Sequence, residues 1–399
     1  MSADDSGSQK TRALGTRITA LLILAIMLAG FAWESRAVRP QIDDAYISYR
    51  YARNLVEGRG LVFNPGERVE GMTNLAWTVA IAGGLALGVE APVCAHVLGF
   101  LSGVALLFCT YSMALAGVGT RRTWLCALAP LPVLASNSFA TWTLSGLETP
   151  LFVALTSAAL LAQFRGRMGW ATAAAIAATL TRPDGVLVAV VIYAAEVLPK
   201  LRDPRNLFTR PSHWAPVLTY AGAMIVLTAF RLLYYGSPVP NTFFAKVGGI
   251  PLQLGFDYCL DFFRGGTAWL LLPVAIGVWS NKRLAPGLCY VLLALAYTIY
   301  VGGDVFKNGR FLLPILPFLS AAAVIGIDAA FRRRQELGLA LLSLLIAAAA
   351  WPLYAADALQ FLLAMLLVPA SFANVVRKRL AWAPAAGAPA AARFGLALA

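Results

Sequence analysis

The sequence is written as a series of long apolar runs separated by short, often basic, hydrophilic stretches. The runs lie at about 18–33, 73–89, 92–118, 123–140, 147–163, 168–181, 184–199, 214–235, 267–280, 284–301, 311–330, 337–355 and 357–373. About 20 apolar residues cross a bilayer as a helix, and backbone in hydrocarbon must satisfy its own hydrogen bonds. The pattern therefore predicts an all-α polytopic membrane protein with about 11 to 13 transmembrane helices. Composition points the same way: 59% of the 399 residues are hydrophobic and only 13% charged, far from the balance of a soluble domain. No sizeable water-soluble catalytic domain fits between the runs.

A net charge of +13 first suggests nucleic acid, but the cations sit in clusters between apolar runs: Lys200/Arg202/Arg205/Arg210, Lys282/Arg283, Arg332/Arg333/Arg334 and Arg377/Lys378/Arg379. That is the positive-inside pattern, so the partner is a membrane and not nucleic acid. Lys10, Arg12 and Arg17 precede the first run, which reads as an uncleaved helix with a cytoplasmic start. The segment after Trp33 then begins outside. Five scattered cysteines support neither a disulfide framework nor a zinc site.

From residue 147 onward, sidedness alternates cleanly. Arg165/Arg167 and the downstream basic clusters fall inside; Glu148, Arg182/Asp184, Lys246 and Asp304/Arg310 fall outside. Upstream, three crossings between residue 72 and Glu148 would put Glu148 inside and Arg121/Arg122 outside. One of those runs is therefore expected to be interfacial or re-entrant. Residues 1–383 read as one transmembrane domain, with an external catalytic loop at 34–72 containing interfacial helices and a second external loop at 236–266. The Ala/Pro-rich stretch 384–399 reads as disordered. There is no internal repeat and no phosphate- or dinucleotide-binding glycine motif.

Polar chemistry concentrates on the outer face. The adjacent Asp43 and Asp44 can bind a divalent cation or supply a general base; equally, they can serve as cap and dipole charges for a following helix. Arg50 and Arg53, with Arg59 and Arg68, share the loop with Glu67 and Glu70. They are either a bidentate phosphate site or solvated partners of nearby acids and headgroups. Glu148 opens an apolar run, and Arg182 and Asp184 flank the Pro183-Gly185 turn; charges at such boundaries are functional candidates because burying them unpaired is costly. The simpler readings are a helix-start charge and a turn-stabilising ion pair. The stretch holding Arg231, Tyr234, Tyr235, Asn241 and Lys246 suits a sugar or phosphate, or an aromatic belt. Asp304, Lys307 and Arg310 follow Gly302-Gly303 and could hold a phosphate or merely cap two helices.

At these residues the chain resembles the membrane glycosyltransferases of the C-type (GT-C) superfold that use polyprenyl-phosphate-linked sugars, most of all the mycobacterial terminal β-(1→2)-arabinofuranosyltransferase type. The segments that carry the resemblance are IDDAYISYRYARNLVEGRGLVFNPGERVEGMTN (42–74), SGLETPLF, LTRPDG, YYGSPVPNTFFAK and GGDVFKNGRFLLP. The resemblance implies that Asp43, with Asp44 beside it, is the catalytic base or a metal-linked carboxylate, with Mg or Mn as the conceivable cation. It adds Asn74 to a substrate-binding set of Arg50, Arg53, Glu67, Glu70, Glu148, Arg182, Asp184, Tyr235, Asn241, Lys246, Asp304 and Arg310. It further implies a polyprenyl-phosphate sugar donor, an envelope glycan, lipid or protein acceptor, and a site on the extracytoplasmic face of a bacterial inner membrane. That type carries an extracytoplasmic domain after its membrane helices, whereas this sequence ends in Ala/Pro-rich residues, so sugar and acceptor stay open between arabinofuranose, mannose and similar units. A flippase of lipid-linked sugars or a small-solute transporter is the alternative.

Overall fold

The computed structural model describes residues 3–36, 41–202, 211–241 and 252–354. Lys246, Arg205, Arg210, the run at 357–373, the cluster at 377–379 and the Ala/Pro-rich stretch lie outside the described residues. Among the described residues all regular structure is helical. The principal helices are α1 (Ala3–Glu34), α2 (Asp43–Val56), α3 (Leu75–Ala86) and α4 (Ala91–Val118). Three short helices follow, α5 (Thr123–Cys126), α6 (Leu131–Leu134) and α7 (Asn137–Trp142). Next come α8 (Thr149–Phe164), α9 (Met168–Thr181), α10 (Val186–Val197) and α11 (Pro211–Tyr235). The chain continues with α12 (Leu252–Arg264), α13 (Leu271–Ser280), α14 (Ala285–Tyr300), α15 (Leu316–Arg333) and α16 (Gln335–Tyr354).

Five helical stretches are long and apolar enough to cross a membrane: Leu14–Glu34, Ala91–Val118, Trp214–Tyr235, Lys282–Tyr300 and Leu313–Arg333. Helix α12 and the segment Thr267–Ser280 are long and apolar enough only when taken together, and they are bent by 72° at Gly265-Gly266, where Gly266 takes φ +107°, the shape of a broken span or a re-entrant loop. The other apolar runs make shorter or broken helices. The run at 123–140 is cut into α5, α6 and α7, because Pro130 and Pro132 remove backbone donors and crowd the preceding turn.

The core is built around α15, whose residues from Leu316 to Ala330 are all buried. Its Gly326 lies against α13 so closely that a Cβ there would stand 2.0 Å from the Pro273 carbonyl oxygen, and a Cβ on Gly277 would stand 2.2 Å from that of Ala322. Small residues on both sides let the two backbones touch, the usual basis of helix packing where lipid supplies no hydrophobic drive between helices.

The bundle has two chemically different ends. At one, buried Asp328 of α15 accepts from Arg122 at 2.6 Å and pairs with Arg332 at 2.7 Å, while Arg165 donates to the Ser112 carbonyl at 3.3 Å. At the other, Gln41 donates to the Pro92 carbonyl at 2.8 Å and the Ile42 amide to Ser145 at 3.1 Å. Pro92 and Ser112 are about 30 Å apart along α4, at about 1.5 Å per residue.

The conflict over residues 72 to 148 is settled here by α3. Its start, Asn74, bonds Glu148 at 3.0 Å, and near its other end a Cβ on Gly84 would stand 2.3 Å from the Cys94 sulfur, two residues from Pro92. Both ends of α3 therefore lie at the Asp43 end. It is the run that does not cross, and Arg121/Arg122 and Arg165 come out together at the basic end.

Candidate active site

Helix α2 organises the site. Its buried residues, Ala45, Ser48, Tyr49, Tyr51, Ala52 and Asn54, recur at the spacing of one helical face. Asp43, Asp44, Tyr46, Ile47, Arg50 and Arg53 remain exposed. The acidic pair stands in the first turn, where the helix dipole favours negative charge. The cap position is taken by Ile42 without a side-chain bond, so the pair serves as dipole charge and not as cap. The Asp44 amide donates to Asp43 Oδ1 at 3.0 Å. Arg50 follows Asp43 by seven residues and so returns to the same face, about 10 Å along the helix. It donates to the Phe63 carbonyl at 2.8 Å and lies 5.0 Å from that residue's ring.

The loop Ser145–Glu148 lies against the start of α2. Tyr49 donates to Gln41 Oε1, and its hydroxyl reaches the Gly146 carbonyl at 3.4 Å, which also accepts from Trp77 at 3.1 Å. Burial pushes the Tyr49 hydroxyl up from its ordinary value, so it remains a neutral donor.

Behind this loop sits a buried ionic group. Arg182 binds Asp184 through Nε at 3.0 Å and a terminal nitrogen at 3.2 Å, and gives its other terminal nitrogen to Glu148 at 3.3 Å. Burial opposes the Arg182 charge, but Asp184 and Glu148 outweigh it and hold the guanidinium protonated. Glu148 Oε2 accepts from Asn74 at 3.0 Å; Asn74 exchanges hydrogen bonds with Ser48 of α2 at 2.9 and 3.2 Å and accepts from Thr78 at 3.1 Å.

A second pair lies nearby. Arg310 donates to Asp304 at 2.6 and 3.2 Å within 5.1 to 5.6 Å of the rings of Phe306, Trp142 and Phe311. The Phe311 ring also lies 5.1 Å from the Arg182 guanidinium. The turn that returns Arg310 onto Trp142 passes through Asn308 at φ 68° and Gly309 at φ 61°. The Asn308 carbonyl accepts from Ser138 at 2.7 Å and from Trp142 at 2.9 Å.

The third feature is the strap of residues 57–73. Leu61 is held from both sides, its amide donating to Tyr234 at 2.9 Å and its carbonyl accepting from Tyr235 at 2.8 Å. Tyr51 donates to Val69 and accepts from the Gly71 amide, both at 2.7 Å. Buried Glu70 pairs with Arg231: the Arg231 Nε donates to Oε1 at 3.1 Å and stands 3.0 Å from Oε2, which has no directed hydrogen bond of its own. Burial pushes the Glu70 carboxyl up, and Arg231 only partly pulls it back. The Asn241 amide donates to the Glu70 carbonyl at 3.0 Å, and exposed Glu67 accepts from Asn64 at 3.1 Å.

Thus Asn74, Glu148, Arg182 and Asp184 converge, as do Asp304 and Arg310. They pair with one another, as the ion-pair reading of the Pro183-Gly185 turn expects for Arg182 and Asp184: every nitrogen of Arg182 has a carboxylate oxygen, and Asp304 holds Arg310 in two places. Two arginines stand against three carboxylates in these groups. Among the described residues, cations without a carboxylate partner on this face include Arg36, Arg50, Arg53, Arg68 and Lys307. Ser48 and the aromatic box around Arg310 were not singled out from the sequence. A serine in a Tyr-rich helix gives no signal, whereas Phe306 and Phe311 flanking Arg310 in sequence could have. Among the described residues no group of three or more His, Cys, Asp or Glu side chains is placed to hold a metal.

No family model matches the chain. It is 30% identical over 368 residues to the terminal β-(1→2)-arabinofuranosyltransferase of Corynebacterium glutamicum, covering 79% of this chain and 52% of the relative. To the protein of the same name from Mycobacterium tuberculosis it is 29% identical over 402 residues, 86% and 62% of the two chains. The chain thus spans a little over half the length of these curated relatives. Among solved structures, ArnT from Cupriavidus metallidurans bound to undecaprenyl phosphate superposes with a TM-score of 0.59 at 16% identity, over 90% of this chain and 72% of that one. Its apo state gives 0.52 at 18% identity, over 84% and 64%. The fold is that of the GT-C membrane glycosyltransferases.

Proposed function

We propose that this chain is a polyprenyl-phosphate-sugar-dependent glycosyltransferase, moving one sugar, arabinofuranose, mannose or a similar unit, onto a hydroxyl of a cell-envelope glycan, lipid or protein. The observation that carries this reading is the exposed face of α2. On a GT-C fold it presents Asp43 at the helix start, with Arg50 and Arg53 about 10 to 15 Å further along, none of them paired to another side chain's opposite charge.

The chemistry follows from these groups. Asp43 accepts the proton of the acceptor hydroxyl. The resulting oxygen attacks the anomeric carbon as the bond from that carbon to the phosphate oxygen breaks, and polyprenyl phosphate leaves with the electron pair. Guanidinium groups suit the developing phosphate charge, because they bind its oxygens in bidentate fashion. One displacement of this kind inverts the anomeric centre. A lipid-linked donor fits a site at the end opposite the basic clusters, which by the positive-inside rule faces the periplasm of an inner-membrane protein, where nucleotide sugars are not supplied. A translocation path calls for polar groups near mid-membrane; the ionic groups described lie at the ends of the bundle, which supports the enzyme over the transporter.

The test is release of free polyprenyl phosphate by purified protein offered a panel of polyprenyl-phosphate sugars and an envelope acceptor, beside Asp43→Asn and Asp44→Asn. Turnover that is lost in a folded Asp43→Asn variant supports the reading, and the consumed donor names the sugar. Consumption of no donor, with labelled lipid-linked sugar still crossing proteoliposome leaflets, replaces it with the transporter.

A further inference from the structure

The buried chain Asp184–Arg182–Glu148–Asn74–Ser48 ends on α2. It links the turn after α9, the start of α8 and the start of α3 to a serine four residues beyond Asp44, one helical turn along the same helix. Every contact in it is within hydrogen-bond distance, from 2.9 Å for Asn74 to Ser48 up to 3.3 Å for Arg182 to Glu148. Glu148 and Arg182 are 9% and 10% exposed at their side chains, and Asn74 and Ser48 are buried. Both Glu148 oxygens are occupied, one by Arg182 and one by Asn74. Each Glu148 oxygen thus already has a partner within the chain, and each nitrogen of Arg182 has a carboxylate oxygen.

We propose that Glu148 is a positioning residue: through Asn74 and Ser48 it fixes the height and rotation of α2, and so sets where the Asp43 carboxylate stands. The inference rests on Asp43 being the base of the proposed transfer. Helix α2 needs such a tether because it is short, lies at one end of the bundle and leaves much of its surface exposed. Its packing face carries Tyr49, Tyr51 and Asn54 beside the small Ala45, Ser48 and Ala52, and Ser48 is the point on the small side that the polar chain holds. A directed, fully satisfied polar chain specifies one register where apolar contact alone would tolerate several. Arg182 keeps Glu148 aimed by lying between the carboxylates and within 5.2 Å of the Phe152 ring and 5.1 Å of the Phe311 ring. A shift of about 1 Å at a catalytic group can cost about a hundredfold in rate, so a tether far from the reacting atoms has kinetic force.

The test joins kinetics to a readout that a direct chemical role would not move. Glu148→Gln, Asn74→Leu and the mild Ser48→Ala are compared with wild type for kcat, KM for the lipid donor, the pH profile of kcat and amide hydrogen exchange across residues 46–54. The expected result is a fall in kcat of about ten- to a hundredfold with donor KM within about twofold. Exchange in α2 quickens in proportion, and the acidic limb of the pH profile stays in place. Ser48→Ala removes only the last link and shows the same pattern in weaker form, so the inference survives misfolding of the other two. It is overturned if kcat collapses while α2 exchange is unchanged, if the acidic limb vanishes in Glu148→Gln, or if only donor KM rises. Absence of turnover in wild type would defeat the transferase reading alone: exchange still reports whether the chain tethers α2.

Discussion

Arg310 and Asp304 meet at 2.6 and 3.2 Å with side chains only 10% and 4% exposed, six residues apart in a loop that joins α14 to α15. A pair this dry is costly to form and costlier to break, since removing one partner strands the other's charge. Asp304→Ala is expected to destabilise the protein by about 3 to 5 kcal/mol. The double variant Asp304→Leu/Arg310→Met should lose less than the sum of its two single changes. Thermal unfolding of the four proteins in one detergent measures the cycle; additive losses would show that the pair is not coupled.

Helix α3 makes a topological prediction. In a cysteine-free background, a cysteine at Leu87, 85% exposed just past α3, reacts with impermeant maleimide from the same side of the membrane as one at Tyr46. A cysteine at Arg121 reacts only from the other side. Labelling of position 87 together with position 121 would mean that α3 crosses after all.

The buried Glu70 carboxyl carries a pH signature. Its value is raised in the folded protein, so the folded state favours the protonated form, and the stability this confers is present below the ordinary carboxylate range and lost as pH rises through the raised value. Arg231 limits that loss by pairing with the ionised form. Arg231→Gln therefore lowers the melting temperature more at pH 8 than at pH 4.5, with a cost of about 3 kcal/mol or more at the higher pH. In a Glu70→Gln background the pH dependence of the difference disappears; its persistence there would assign it to another group.

A divalent cation at Asp43 and Asp44 is a separate proposal. No third His, Cys, Asp or Glu joins the pair among the described residues; Asp43 and Asp44 would be the residues that hold a cation, and it would supply positive charge for the leaving phosphate. Chelation is then expected to abolish turnover, restored by Mg or Mn, while leaving the melting temperature of donor-free protein unchanged. Full turnover in excess chelator removes the cation from the reaction.

Much of this protein is legible in the sequence because hydropathy acts locally. A run such as 92–118 must be helical and buried in lipid or protein whatever surrounds it, and the basic clusters fix which loops share a side. The acidic pair after the first helix could likewise be picked out, since two carboxylates at a membrane boundary are conspicuous wherever the chain goes next. Sequence alone could not separate a charge that meets substrate from one that meets another charge. Glu148, Arg182 and Arg310 look like Arg50 and Arg53 when each is read against its own neighbours. Only the tertiary structure sets Asn74 and Ser48 against Glu148 across 74 and 100 residues of chain, or places both arginines against Phe311. Likewise α3 is as apolar as a crossing helix, and its length of 12 residues and its packing at both ends on the Asp43 side, which argue against a crossing, belong to the tertiary structure. Burial of an ion pair is a property of two distant segments and the dry space between them, and that information is absent until the helices pack.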